Sequence, residues 1–231
     1  MCRLLLFVCM AIFLEIVRFP ALGAEIPAAL PLAIRSCTVC HGANGISKDS
    51  FVPNLAGQRV EYLVKQTLEM QMLARLRFGL DLDEDHDLFA LNPSALTDHR
   101  NNPHMDRQLA ELDHGSIQAI SEYFSSRPRV CAPPGTQRGN PPVRLIAHCT
   151  SCHGRDGISD LPYVPHLAGQ HRFYLTEQTR LFRTDEHKFL PPPSNITRSN
   201  PAMSPQMALI SKKQLADLAL WFANSPCTDK N

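Results

Sequence analysis

Two copies of a Cys-x-x-Cys-His motif are the residues of this sequence best suited to chemistry. Each copy has two thiols followed by an imidazole, and the copies consist of Cys37, Cys40 and His41, and of Cys149, Cys152 and His153. Thiols three positions apart on one helical turn can form thioethers with the two vinyl groups of a haem, and the adjacent histidine is then held as an axial iron ligand. The motifs therefore predict two covalently attached haems c.

Other uses of paired cysteines fit this sequence poorly. A thioredoxin-like redox centre would need a surrounding βαβ pattern, and the sequence has no such pattern. A zinc site built from two pairs would place them about 15–20 residues apart. Here Cys40 and Cys149 are 109 positions apart. Haem attachment is thus the favoured interpretation of both motifs.

The motifs belong to a longer internal repeat. Residues 52–58 (Val-Pro-Asn-Leu-Ala-Gly-Gln) match residues 164–170 (Val-Pro-His-Leu-Ala-Gly-Gln) at the same offset of 112 as the motifs. Residues 102–105 match 200–203 at an offset of 98, so the first copy contains 14 additional residues. They fall around the acidic stretch 81–87, which we interpret as a solvated surface insertion rather than a metal site.

The repeat also selects candidates for the second axial ligand. A thioether ligand favours ferrous iron, so a methionine late in each copy is the natural search target, and the matching residues are Met105 and Met203. Met70, Met72 and Met207 have no methionine counterparts and are interpreted as packing residues. Ligation by two histidines stays an alternative, with unmatched candidates His99, His104, His148, His171 and His187.

A ligating histidine needs an acceptor for its other ring nitrogen. Pro53 and Pro165 follow His41 and His153 by the same interval, and a proline carbonyl at that place can accept such a hydrogen bond. The alternative is that either proline only rigidifies a turn. Spacing alone does not choose between these interpretations.

Helical hydrophobic periodicity indicates an all-α fold with long loops. It covers roughly 58–77, 117–124, 170–184 and 215–222, and no stretch shows sustained strand alternation. Residues 132–142 are rich in helix breakers and are predicted to be a linker. This places a first domain at 25–131 and a second domain at 143–231.

The first 24 residues have the composition of a secretory signal. Arg3 precedes the apolar run 4–14, and small residues at 21–24 offer a cleavage point. An uncleaved anchor is the alternative, but so short a run spans a bilayer poorly. Six cysteines then remain in the mature chain, which fits an oxidising compartment such as the periplasm. Cys131 and Cys227 follow the two terminal helices at equivalent positions, so we hypothesise a disulfide between the domains.

The charge is distributed unevenly between the two halves. Residues 25–132 carry a net charge of −4 and residues 133–231 a net charge of +4. Such a dipole can orient a charged partner during encounter. The sequence contains no basic cluster that would indicate nucleic-acid binding.

With both halves compared, the sequence resembles the class I cytochromes c, in particular the dihaem cytochrome c4 type. The likeness covers nearly the whole mature chain and rests on Cys-x-x-Cys-His, the Pro-x-Leu-x-Gly loop, Asn-Pro-x-Met and an aromatic terminal helix in both halves. It implies two tandem domains that each wrap one haem. It also implies two pairs of axial iron ligands, His41 with Met105 and His153 with Met203. The carbonyls of Pro53 and Pro165 would orient the two histidine rings.

The resemblance also implies a periplasmic or membrane-associated electron carrier. We expect single-electron transfer in a respiratory chain, with a quinol-oxidising complex, a dehydrogenase or a terminal oxidase as partner. No enzymatic turnover is expected, because protein ligands would fill both axial positions of each iron. Two alternatives stay open: a dihaem subunit of an oxidoreductase complex, and a haem sensor or enzyme with one open iron.

Overall fold

The computed structural model describes residues 32–80, 99–183 and 197–227. Over these ranges the chain forms α-helices and one short antiparallel ribbon. The predicted signal segment 1–24 and the acidic stretch 81–87 lie outside the described residues. The all-α prediction is confirmed, with only a small amount of strand.

Two sets of elements follow one another in the same order, as the repeat predicts. The first set is α1 (Leu32–His41), α2 (Val60–Phe78), β1 (His99–Asn101), α3 (Pro103–Leu109) and α4 (His114–Ser125). The second set is α5 (Val143–His153), α6 (Arg172–Leu181), β2 (Thr197–Ser199), α7 (Ser204–Ala208) and α8 (Lys212–Ala223). The four helical segments inferred from periodicity correspond to α2, α4, α6 and α8.

Local sequence signals account for where the helices start and stop. Helix α4 is capped by Asp113, the residue before it, whose carboxylate accepts a hydrogen bond from Ser116 N–H. Helix α8 begins with a capping box between Ser211 and Gln214. Helix α2 is followed by Gly79, which has a φ of 66° and caps the last carbonyls in the left-handed conformation that glycine adopts freely. These short-range bonds fix the ends of the helices that carry each core.

Each domain has its own apolar interior, which includes one buried phenylalanine on its terminal helix. Phe124 of α4 packs with Ile34 of α1 and Leu63 of α2. Phe222 of α8 packs in the second domain with Leu175 of α6 and other buried side chains. The motif helix, the long helix and the terminal helix of each copy therefore pack around this phenylalanine.

A three-residue ribbon joins the two domains. Strands β1 and β2 pair antiparallel, with Arg100 opposite Arg198. These strands were not predicted from the sequence, because three residues are too few for alternation of apolar and polar side chains to appear. The pairing brings equivalent positions of the two copies together across a pseudo-twofold relationship.

The segment predicted as a linker packs on the second domain. The Arg138 guanidinium lies 3.5 Å from the centroid of the Trp221 ring, and the Asn224 side chain donates a hydrogen bond to Gln137 O. Directly before this segment, Cys131 forms a disulfide with Cys227, with the two Cα atoms 5.1 Å apart. The hypothesis of a disulfide between these two cysteines is confirmed.

Removal of this disulfide is expected to destabilise the holo-protein. The bond connects residues 96 positions apart, so it restricts a large loop in the unfolded chain. In the variant with both Cys131→Ser and Cys227→Ser, the free energy of unfolding should fall by about 2–4 kcal/mol in a denaturant titration. Wild-type protein in reducing agent should lose a similar amount. Equal stability of variant, reduced and oxidised protein would contradict this prediction.

Candidate haem centres

The two motif histidines are buried and held in the same way. His41 and His153 end α1 and α5 and are 5% and 7% exposed. Each ring donates a hydrogen bond from Nδ1–H to a proline carbonyl, at 2.9 Å to Pro53 O and 3.0 Å to Pro165 O. A carbonyl only accepts, so the hydrogen is on Nδ1 and the lone pair is on Nε2. Both rings therefore present a free lone pair for a metal ion.

Burial keeps these two rings neutral. It lowers the pKa of both His41 and His153, more strongly than the proline hydrogen bonds raise it. The positive charges of Arg100 and Arg198 lower the same pKa values further. Because only a neutral imidazole can ligate a metal, this environment favours the ligand form near neutral pH.

A glycine after each histidine makes the required turn. Gly42 and Gly154 both have a φ of 79°, a conformation that other residues rarely adopt. A Cβ atom at either position would overlap a backbone carbonyl oxygen, that of Ile46 or Ile158. The chain can therefore turn tightly enough for the proline loop to come back to the histidine ring.

Two serines, which the sequence analysis did not single out, fasten this turn to the motif. Ser47 Oγ–H donates to Cys40 O at 2.9 Å, and Ser159 Oγ–H donates to Cys152 O at 2.7 Å. Both serines are buried. The signal was present in the repeat as Gly-Ile-Ser in each half, but the residue type alone did not reveal a partner.

The four motif thiols are unpaired with one another. Cys40 and Cys152 are exposed, whereas Cys37 and Cys149 are half-buried. Burial raises the pKa of the Cys37 thiol and raises that of Cys149 to about 11. The attacking thiol of a redox-active dithiol needs a lowered pKa, so this environment disfavours a thioredoxin-like centre.

A metal site made only from protein side chains is also disfavoured. Across 32–80, 99–183 and 197–227, no group of three or more His, Cys, Asp or Glu residues could hold a metal ion. Zinc normally takes four such ligands in a structural site. The described chain thus offers neither a zinc site nor a reactive dithiol in place of haem attachment.

The structure brings Met203 to the core of the second motif. Met203 packs against the apolar cluster that includes Phe222, and Cys149 of the motif packs against the same cluster. The Phe222 ring is 6.4 Å from the His153 ring, centroid to centroid. Met105, the corresponding methionine of the first domain, is half-buried in α3.

An asparagine before each methionine holds the start of its helix. Asn200 Oδ1 accepts a hydrogen bond from Met203 N–H at 2.9 Å. Asn102 Oδ1 accepts one from His104 N–H at 3.2 Å. The Asn-Pro-x-Met repeat contained this signal, but its first residue was not assigned a role from sequence. These asparagines fix the backbone that carries the methionines.

The remaining methionines pack in the apolar interior, as predicted. Met70 and Met207 are 7% and 3% exposed. Met72 lies against the cluster of Val64 and Leu68 on α2. These contacts account for the three side chains without a ligand role.

The unmatched histidines have other surroundings. His104 is exposed, and exposed His148 is hydrogen-bonded to Gln206 Oε1 at 2.8 Å. The His171 ring donates from Nε2–H to Ser47 O at 3.1 Å. His187 lies outside the described residues. Among the described rings, the contacts thus favour surface or interface roles over iron ligation.

Two buried arginines lie between the domains. Arg100 and Arg198 are 8% and 6% exposed. Their hydrogen bonds, 2.6–3.1 Å long, all go to neutral side chains: Gln66, Tyr174, Gln178 and Tyr62. Both guanidinium groups donate to the same oxygen, Gln66 Oε1, so two like charges lie close together. Within the described part of the chain, the Arg198 Nε atom is buried without a hydrogen-bond partner.

This arrangement is costly unless an anion is present. Burying a guanidinium without a counter-charge destabilises a protein strongly. Buried Glu69 acts electrostatically on Arg100, but the same carboxylate also pairs with Lys65 at 2.5 Å. The four ionised side chains, which are Lys65, Glu69, Arg100 and Arg198, together carry a net charge of +2. A haem carries carboxylates as well as iron and vinyl groups, so the buried arginines, the free Nε2 atoms and the unpaired thiols all fit that group.

One position breaks the similarity of the two centres. His166 replaces Asn54, and its Nδ1 accepts a hydrogen bond from Ser159 N–H at 3.0 Å, as Asn54 Oδ1 does from Ser47 N–H at 3.0 Å. Burial, followed by the positive charges of Arg129 and Arg59, lowers the pKa of His166 to about 4. His166 therefore acts as a neutral acceptor near neutral pH.

Comparisons with known proteins show that this chain is similar to cytochromes c. A family model described as cytochrome c matches residues 143–225. A cytochrome c4 from Thiocapsa roseopersicina is 32% identical over 162 residues, which cover 64% of this chain and 69% of the relative.

Solved structures match over both domains. Reduced recombinant cytochrome c4 from Pseudomonas stutzeri has a TM-score of 0.56 at 21% identity, covering 83% of this chain and 94% of that one. A thiosulfate dehydrogenase, TsdBA, from Marichromatium purpuratum also has a TM-score of 0.56, at 22% identity, covering 82% of this chain and 36% of that one. At these identities, the two likenesses establish the two-domain helical fold.

Acidification is expected to destabilise the protein through His166. The unfolded chain binds a proton at this histidine below about pH 6.5, whereas the folded chain binds it only near pH 4. The contribution to the free energy of unfolding is therefore present above about pH 6.5 and is lost as the pH falls towards 4. Thermal unfolding midpoints measured between pH 7.5 and 4.5 will show this loss.

The matched variant for this test is His166→Asn, which copies the residue at position 54. It keeps an acceptor for Ser159 N–H and does not titrate. Its midpoint should fall less on acidification than that of the wild type. The same pH dependence in both proteins would exclude His166 as the source.

Proposed function

We propose a role in periplasmic electron transfer for this chain, which belongs to the cytochrome c4 family of dihaem c-type cytochromes. As in that family, the chain carries two covalently attached haems c and is an electron carrier rather than an enzyme. The proposed role is to shuttle single electrons between redox proteins of a respiratory chain. The observation that carries it is the pair of buried histidines, each with Nδ1–H bound to a proline carbonyl and Nε2 left free.

We assign the haem-holding residues from the motifs and their surroundings. The thioether-forming residues are Cys37 and Cys40 in the first domain and Cys149 and Cys152 in the second. The axial ligands are His41 with Met105, and His153 with Met203. Support comes from the free histidine lone pairs and from the packing of Met203 in the core beside the second motif.

The haem irons supply the one-electron redox chemistry, and the protein supplies ligands, orientation and a dry environment. Pro53 and Pro165 fix the histidine rings so that Nε2 points away from the loop. Phe124 and Phe222, 0% and 3% exposed, exclude water from the two cores. With a protein ligand at both axial positions, no iron would have an open site for a substrate.

Arg100 and Arg198 are the proposed partners of the haem carboxylates. Their hydrogen bonds in the described structure go to neutral groups, and Arg198 Nε has none there. Pairing with carboxylates would offset the cost of burying two guanidinium groups side by side. The same charges would favour the reduced form of each iron, because reduction removes one positive charge from the metal.

We place the mature protein in the periplasm, after export directed by residues 1–24. The disulfide between Cys131 and Cys227 fits an oxidising compartment. Among the described helices, none is long and apolar enough to cross a membrane. The proposed boundaries are those of the sequence analysis: a first domain at 25–131, a linker at 132–142 and a second domain at 143–231.

The proposed partners are redox proteins that dock weakly and briefly. A quinol-oxidising complex, a dehydrogenase and a terminal oxidase are the classes considered, and nucleic acid is not among them. Electron-transfer encounters use small interfaces, and the opposite net charges of the two halves would orient a partner on approach.

A stable subunit of an oxidoreductase complex is the second candidate. The likeness to 36% of a thiosulfate dehydrogenase chain is the observation that favours it, since a fold of this kind forms part of a larger redox protein there. Co-purification of a catalytic chain with native protein, at fixed stoichiometry and in moderate salt, would support this candidate. A protein that purifies alone supports the shuttle.

The ligand assignment predicts a defined spectrum. Wild-type protein should contain two haems per chain, show the weak far-red sulfur-to-iron band in its oxidised form and bind no carbon monoxide when reduced at neutral pH. Met105→Ala and Met203→Ala should each keep both haems, lose about half of this band and let one iron bind carbon monoxide. Absorption spectroscopy and haem quantification measure these outcomes.

Met72→Ala is the control, because Met72 is a partly buried packing residue on α2. It should leave the band and the lack of carbon monoxide binding unchanged. If wild-type protein binds carbon monoxide, or has half the expected band, one iron has another ligand or an open site. The sensor or enzyme alternative would then replace the carrier.

The arginine assignment predicts a change in midpoint potential. Arg198→Gln removes a buried positive charge that acts electrostatically on His153, so it should stabilise ferric iron and lower the potential of the second haem, by an energy on the order of 1 kcal/mol. Arg172→Gln is the control, because Arg172 is exposed. A redox titration compares both variants with wild-type protein. An unchanged potential in Arg198→Gln would show that Arg198 only stabilises the interface.

A further inference from the structure

One peptide group in the first domain connects the His41 ring to the second domain. Its carbonyl oxygen belongs to Pro53 and accepts from His41 Nδ1–H at 2.9 Å. Its N–H belongs to Asn54 and donates to Gln170 Oε1 at 2.8 Å. The same glutamine donates from Nε2 to Asn54 O, also at 2.8 Å. Gln170 therefore holds the peptide that orients His41.

The second domain has the reciprocal arrangement. Pro165 O accepts from His153 Nδ1–H at 3.0 Å, and the N–H of the same peptide group, which belongs to His166, donates to Gln58 Oε1 at 2.9 Å. Gln58 Nε2 donates to His166 O at 3.0 Å. Each domain thus supplies the glutamine that supports the histidine of the other domain.

Both glutamines are fixed in orientation. Gln58 and Gln170 are 6% and 8% exposed, so an unpaired amide would be costly. Each Oε1 also accepts from the N–H of the following residue, Arg59 or His171, at 3.0 Å. Since each Oε1 receives two N–H groups and each Nε2 faces a carbonyl, reversing either amide would break all of these bonds.

The two hydrogen bonds of each peptide group strengthen one another. An N–H that donates makes its own carbonyl oxygen a better acceptor, and chains of hydrogen bonds in proteins gain roughly 10–30% per bond in this way. A better acceptor at Pro53 pulls the Nδ1 proton of His41 more strongly. The ring then donates more electron density through Nε2, which stabilises ferric iron.

We propose that Gln170 and Gln58 are positioning residues that act across the domain interface, each lowering the midpoint potential of the haem held by the other domain's histidine. Gln170 acts through Asn54 and Pro53 on His41. Gln58 acts through His166 and Pro165 on His153. The inference rests on the proposed function, because it requires that these histidines ligate iron.

The test uses the holo-protein with both haems attached. Gln170→Leu should raise the potential of the His41 haem and leave that of the His153 haem unchanged, and Gln58→Leu should do the reverse. At a fixed electrode potential, the ratio of reduced to oxidised haem should change at least about twofold at the affected centre. Gln108→Leu is the control, because Gln108 is exposed and should change neither potential.

The two haems are followed separately during the titration. Methionine methyl resonances in the NMR spectrum serve as reporters, and Met105→Ala and Met203→Ala assign them to the two centres. Gln170→Glu is a second variant in case the leucine variant does not fold. It keeps an acceptor for Asn54 N–H and adds a negative charge, so it should lower the potential of the His41 haem.

The outcomes separate this inference from the function on which it rests. Equal shifts at both haems, a shift at the haem of the mutated domain, or no shift in a folded variant would each overturn the crossed arrangement. Such a result would leave two intact haems and the far-red band in wild-type protein. Fewer than two haems, or no such band, would instead refute the ligand assignment itself.

Discussion

The hydrogen bond between a buried histidine and a proline carbonyl is the constraint around which each domain is arranged. It requires the chain to leave the motif helix, reverse and return within twelve residues, with a carbonyl directed at Nδ1. The glycine after the histidine permits the reversal, and a buried serine hydroxyl ties the returning loop to the motif. The terminal helix then covers the loop with its phenylalanine. This arrangement of histidine, proline, glycine, serine and phenylalanine appears in both domains, as expected from the internal repeat.

The interface between the domains serves these loops rather than merely joining two folded units. The hydrogen bonds of Gln170 and Gln58 end on the residues that follow the two prolines, and the ribbon at this interface carries the two buried arginines. The loop that orients each histidine is therefore hydrogen-bonded to a glutamine supplied by the other half. A single domain of this kind would lack both its glutamine support and one of the two buried positive charges.

Much of this architecture could be predicted from the sequence because the chain is a repeat. The offset between copies identified the histidines, the prolines and the equivalent cysteines, and periodicity located the long and terminal helices. The ribbon of β1 and β2 could not be predicted, since three residues show no periodicity. The glutamines were visible as Ala-Gly-Gln in both copies, but a repeat does not reveal that a residue acts on the opposite copy. The signal segment and the domain boundaries stay predictions.

The disulfide has a consequence for how this chain assembles. Cys131 directly precedes the linker and Cys227 follows the last helix, so the covalent loop encloses the linker and the whole second domain. Tandem domains with matching interfaces are prone to exchange partners between molecules, because each interface can be satisfied by another copy. Here the end of the second domain is bonded to the end of the first domain of the same molecule. Domain swapping through an opened linker would require this bond to break. Once the disulfide has formed, the two domains of one chain therefore stay paired with each other.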